Sequence, residues 1–114
     1  MRIAIPLFRA RISPALDTCT RVLLIDLEEK REIERREIYL DEFSLSERVS
    51  ILQNAGVETV ICGGISDLLH NMLKGAKIHA IIGRAGEVDQ ILCAFLCEQL
   101  DETRFYMPGY KEKK

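Results

Sequence analysis

Gly56-Val57-Glu58-Thr59-Val60-Ile61-Cys62-Gly63-Gly64-Ile65 (residues 56–65) is the stretch that decides the fold. Val57 to Ile61 is a short apolar run rich in β-branched residues, bounded by glycine on both sides. Such a run suits a strand covered on both faces. Upstream, Ser44 and Glu47 have the spacing of a capping box. Leu45, Val49, Leu52 and Ala55 then share one helical face, and Gly56 is the stop. Downstream, Ile65, Leu68, Leu69, Met72 and Leu73 recur at helical spacing over about Ser66 to Lys74. A second buried strand, Ile78 to Ile82, runs into Gly83-Arg84-Ala85-Gly86. A third helix follows, about Glu87 to Leu100, with Val88, Ile91, Leu92, Phe95 and Leu96 as its apolar stripe. Strands alternating with helices at this spacing indicate crossover units and a parallel sheet.

Toward the N-terminus the periodicity changes. Ile3 to Phe8 and Val22 to Ile25 are apolar runs, and Glu28-Glu29-Lys30 connects to a charged third strand, about Glu32 to Leu40. The Glu and Arg crowded there fit an edge strand that must not pair with strangers. Pro6 is the misfit, because proline donates nothing to a ladder and belongs at a bulge or strand end. The element order is β-β-β-α-β-α-β-α. Right-handed crossovers place the first two helices on one face, so the third must cover the other. The expected architecture is a three-layer α/β/α sandwich on a five-stranded mixed sheet of order 3-2-1-4-5, the ribonuclease H-like topology. Residues 1–100 form the single domain, and 101–114, with Pro108-Gly109 and a basic end, read as a mobile tail.

The 114 residues are 47% hydrophobic and 30% charged, which excludes a disordered chain. Sixteen basic and eighteen acidic residues give a net charge of -2, so bulk charge predicts no nucleic-acid partner and no membrane partner. No run reaches the roughly 18 apolar residues of a membrane span. Arg9 and Arg11 follow the apolar start rather than precede it, the wrong order for a signal peptide. Cys19, Cys62, Cys93 and Cys97 are therefore read as reduced thiols in a cytoplasm. No Cys-x2-Cys pair of the structural zinc type occurs.

In such a sheet, ligands gather beyond the carboxyl ends of the parallel strands. Three loops meet there: Arg9 to Pro14, Cys62 to Ser66, and Gly83 to Gly86. Gly63, Gly64 and Gly86 permit close backbone approach, two helix N-termini aim N–H groups outward, and Arg9, Arg11 and Arg84 add positive charge. An anion fits this edge, with Cys19 and Cys62 as its thiols, although a packed thiol is the commoner fate of a cysteine ending a buried strand. Cys93 and Cys97 lie one helical turn apart, off the apolar stripe. Two soft thiolates so placed can share a metal, but no third ligand is nearby and partial burial is the expectation. His70 reads as a surface residue, and His79 falls at the opposite edge. No clustered carboxylates and no Ser/His/Asp or Cys/His set converge, and Asp26 and Asp89 are scattered. The residues therefore point to no catalysis, and a magnesium-dependent nuclease is excluded most firmly.

Ile3-Ala4-Ile5-Pro6, Ile12-Ser13-Pro14, Val22 to Asp26, Gly56-Val57, Val60 to Ile65 and Gly83 to Gly86 together resemble the dinitrogenase iron–molybdenum cofactor biosynthesis family over about residues 1–100. The resemblance implies a small ribonuclease H-like domain that carries an iron–sulfur or iron–molybdenum–sulfur cluster and catalyses nothing. Its partners would be the metal–sulfide cluster and a cluster-assembly or acceptor protein. The resemblance also accounts for Pro6 and adds Ser13 to the binding edge. One departure stands out. The family pattern usually follows Ser-Pro with a histidine and an aromatic residue, the histidine a candidate ligand, whereas Ala15 and Leu16 stand here. That leaves Cys19 and Cys62 as the metal ligands, or charge and amide groups alone. The alternative is a regulatory or protein-interaction module that kept the fold and lost the cluster.

Overall fold

The computed structural model describes residues 1–110. Its elements are β1 (Arg2–Phe8), β2 (Arg11–Ile12), β3 (Arg21–Glu28), β4 (Arg31–Tyr39), α1 (Leu45–Asn54), β5 (Thr59–Ile61), α2 (Asp67–Gly75), β6 (His79–Ile81) and α3 (Val88–Leu96), followed by a 3-10 turn at Thr103–Phe105. The sheet order is β4-β3-β1-β5-β6, with β1, β5 and β6 mutually parallel and β3 and β4 antiparallel. The five expected strands thus stand in the expected order. The addition is β2, two residues that fold back on the end of β1 through Leu7↔Ile12 and Phe8↔Arg11. It was invisible in the sequence because two residues carry no periodicity.

β2 also explains Pro6. On one side β1 pairs with β5 only at Ile3 and Ala4, and with β2 only at Leu7 and Phe8. Pro6 sits where β1 changes partner, so its missing N–H interrupts no ladder. Alternation along β1 then splits the core in two. Ile3, Ile5 and Leu7 join Ile25, Ile91 and Leu92 under α3, whereas Ala4 joins Val22, Leu24, Leu52, Leu69 and Leu73 under α1 and α2. The three layers follow directly.

The Ser44–Glu47 capping box is present in both directions, and the second helix is capped by Ser66 through its hydroxyl. The third helix is shorter than its stripe suggested. It ends at Leu96 because Glu98 turns left-handed at φ 58°, which redirects the chain toward Leu100. Residues 101–110, expected as a mobile tail, are folded instead. Phe105 is buried in the α3-side core, Ala85 donates its N–H to Phe105 O, and Met107 donates to Gly83 O. Aromatic anchors outweighed the polar composition. The basic end at 111–114 lies outside the described residues.

The free end of β1 is tied by a charged pair. Arg2 holds the Asp26 carboxylate of β3 with two guanidinium nitrogens and donates a third bond to Ala55 O after α1. These bonds hold the Asp26 carboxyl below its ordinary 3.8. A carboxyl with a lowered folded-state pKa stabilises the fold above its unfolded pKa and loses that effect as pH falls. The urea midpoint should therefore drop below about pH 4, and less steeply in Asp26→Asn. Equal slopes in the two proteins would count against this tie.

Candidate functional site at the carboxyl edge of the sheet

The three edge loops do come together, and they are fastened to one another. Gly64 donates to Pro14 O at 2.7 Å, and Leu16 donates back to Gly64 O at 3.0 Å. Ile12 donates to Gly86 O and Val88 to Ala10 O, while Gly83 donates to Gly63 O and Arg84 to Cys62 O. A Cβ placed on Gly63 or Gly64 would lie 3.0 Å from Pro14 O, closer than side chains normally approach. Glycine thus favours close backbone contact here with a neighbouring loop of the same chain. The amide groups expected to receive an anion are largely engaged.

The helix terminus is engaged as well. Asp17 accepts the N–H of Ser66, the α2 cap, at 2.8 Å, so a carboxylate of the chain itself occupies that N-terminus. Arg84, expected to present its charge outward, has a side chain only 5% exposed. Its Nε donates to Leu100 O at 2.9 Å, Nη1 to Ile82 O at 2.7 Å, and Nη2 to the Asp101 carboxylate at 3.2 Å. The guanidinium also lies over the rings of Tyr106 and Tyr110, at 4.6 and 5.5 Å. The loop position alone could not show that residues 100–110 would return to cover it. Arg9 and Arg11 remain exposed, and Arg9 lines a hollow of about 370 Å³ with Arg21 and Arg35 on the α3 side. Ser13 is buried, with its hydroxyl donating to Ala15 O.

Under the 13–18 loop lie the two thiols. Cys19 is 4% exposed and Cys62 wholly buried, and both belong to the α1/α2-side core. Burial pushes the Cys19 thiol above its ordinary value, with Arg48 opposing. Cys62 is pushed up to about 12, by burial first and then by the charges of Asp17 and Cys19. Both are protonated, inert thiols while the loop is closed.

The residue that sequence reasoning passed over is Arg48. It is 6% exposed, and its guanidinium donates to Phe43 O at 3.1 Å and to Cys19 O at 2.7 Å, and reaches Leu16 O at 3.4 Å and the Cys19 Sγ at 3.6 Å. The signal was available: Arg48 stands three residues after Leu45 and four before Leu52, on the inward stripe of α1. A buried guanidinium beside a thiol is a fixed positive charge next to a soft ligand. Among the described residues no three His, Cys, Asp or Glu side chains are grouped to hold a metal. Also among them, no helix is long and apolar enough to cross a membrane.

The dinitrogenase iron-molybdenum cofactor family model matches residues 1–98. No curated protein matches the chain. Solved structures share the fold. The crystal structure of PH0822 superposes with a TM-score of 0.82 at 17% identity, covering 87% of this chain and 91% of that one. A Methanocaldococcus jannaschii protein provisionally named a dinitrogenase gives 0.74 at 23% identity, covering 87% and 90%. A Thermotoga protein provisionally named NifB gives 0.65 at 20% identity, covering 99% and 97%.

The exposures separate the cysteines into two classes, since Cys93 and Cys97 are exposed rather than partly buried. A thiol reagent should modify two cysteines of the native protein rapidly and the other two only on opening or unfolding. Arg48→Met should speed modification of Cys19 and lower stability by about 1.5–3 kcal/mol, through loss of charged hydrogen bonds from a buried site. Four thiols reacting at one rate would contradict the sealed loop.

Proposed function

The chain belongs to the dinitrogenase iron-molybdenum cofactor family, and we propose that it is a non-catalytic carrier of an anionic metal–sulfide cluster, the cluster being cargo. The observation that carries this reading is the grouping of Cys19, Cys62 and Arg48 under one loop at the carboxyl edge. Thiolates are the ligands that iron–sulfide clusters favour, and a buried guanidinium offsets the negative charge of cluster and thiolates together. Arg9 and Arg11, exposed on the adjoining hairpin, supply the outer, screened attraction. With Ala15 in the chain no imidazole contributes, so ligation falls to sulfur.

Loading requires the 13–18 loop to lift. The reciprocal Gly64 bonds and the Arg48 bonds to the loop resist that opening by something on the order of 4 kcal/mol. An opening of that size leaves the loop closed almost always, yet accessible on the time scale of reconstitution. A cluster-assembly or acceptor protein meeting this edge would be the natural means of opening it.

One observation favours a second reading, an interaction module without cargo. Leu16 is 2% exposed in the core where an aromatic residue usually stands, and it closes the loop tightly. The two readings part on anaerobic reconstitution with iron and sulfide. The carrier should gain visible sulfide-to-metal charge-transfer absorption. Uptake should fall moderately as salt shortens the Debye length from about 10 Å at 0.1 M to about 3 Å at 1 M. It should fall sharply in the Cys19→Ser, Cys62→Ser double variant and stay unchanged in Cys93→Ser, Cys97→Ser. Absence of uptake by the unaltered protein would establish the interaction module instead.

A further inference from the structure

The outer face of α3 and its C-cap carry two thiols that the carboxyl edge does not use. Cys93 and Cys97 are both exposed, and Cys97 donates its N–H to Cys93 O at 3.0 Å, so the two are held one helical turn apart. The neighbouring Ile91, Leu92 and Ala94 are buried, which fixes the rotation of the helix and turns Cys93 outward. Residues in this relation have Cβ atoms about 5–6 Å apart. Two metal–sulfur bonds of roughly 2.3 Å laid end to end span about 4.6 Å. A single ion can therefore bridge both sulfurs without moving the backbone.

We propose that Cys93 and Cys97 form a two-coordinate site for a soft monovalent d10 cation, Cu(I) being the reference ion. Two observations select this class. Only thiol donors are present, and soft thiolates select Cu(I) over hard cations. Among the described residues no third His, Cys, Asp or Glu joins a grouping, so they assemble no closed four-ligand zinc site, whereas two-coordination needs only the pair itself. Arg104 lines a hollow of about 310 Å³ with Cys93, Gln90 and Gln99, and its charge there is paired with the Glu102 carboxylate at 3.0 Å. Binding replaces two S–H bonds by two S–Cu bonds and releases two protons. The resulting bis-thiolate complex carries one negative charge, so uptake strengthens as pH rises. No electron is transferred, since copper enters and stays as Cu(I).

The site is independent of the cargo site at the carboxyl edge, where the thiols are sealed. The test is an anaerobic titration of the full chain with Cu(I) against a chromogenic Cu(I) chelator. The unaltered protein should withdraw one Cu(I) per chain from the chelator. Cys93→Ser and Cys97→Ser should each weaken retention at least tenfold, while Cys19→Ser with Cys62→Ser leaves it unchanged. X-ray absorption should show two sulfur neighbours around copper, and gel filtration should show no copper-dependent change in size. The exposed positions allow the serine variants to keep the wild-type urea midpoint, which separates loss of ligand from loss of fold. Equal retention by the Cys93→Ser, Cys97→Ser double variant would overturn the proposal. So would one copper shared between two chains, or failure of the unaltered protein to compete with the chelator.

Discussion

Gly64 and Pro14 approach so closely that a Cβ on Gly64 would crowd Pro14 O at 3.0 Å, and the two reciprocal hydrogen bonds across that contact fasten the 13–18 loop to the turn after β5. Much of the carboxyl edge depends on this contact. It carries Leu16 into the α1/α2-side core, sets Asp17 against the N-terminus of α2, and covers Cys19 and Cys62. Arg48 completes the arrangement from the other side, because its guanidinium reaches Leu16 O in the loop, Cys19 O just after it and Phe43 O before α1.

The fold was largely legible in the sequence because the signals that specify it are local. The capping box at Ser44 and Glu47, the stop at Gly56 and the apolar run before Cys62 each name an element, and crossover handedness orders the strands. The charge on Arg84 was legible only as a loop arginine. Its fate depended on Leu100, Asp101, Tyr106 and Tyr110, which return from beyond the family-matched residues 1–98. Polar residues around Pro108-Gly109 masked the aromatic anchors, because composition averages over the few residues that decide packing. Arg48 was missed for the opposite reason. Its position on the stripe was plain, but a charge there is read as exposed unless carbonyl partners are known.

The same limits apply to the anion edge. Glycines, helix N-termini and arginines at strand ends are the ingredients of an anion site, and also of a tight loop junction. Which one results depends on whether the N–H groups meet a carbonyl of the chain first. Here many do: Gly64, Gly83, Arg84, Ile12 and Val88 all donate internally. The carboxylate of Asp17 stands at the helix terminus where an external anion would otherwise sit.

The chemistry of the four cysteines follows from where the fold leaves them rather than from their number. Burial raises both edge thiols, and for Cys62 the nearby Asp17 adds to it, so that pair is silent until the loop moves. Metal binding must then displace protons from a low-dielectric setting, and only a cargo with strong thiolate affinity and several metal–sulfur bonds can offset that. Cys93 and Cys97 face solvent one helical turn apart. One chain thus presents thiols in two settings, one covered by a loop and one open to solvent. On the two readings proposed above, an ion satisfied by two sulfurs would meet the open pair first, and a larger anionic cluster would gain from the covered pair because Arg48 stands beside Cys19.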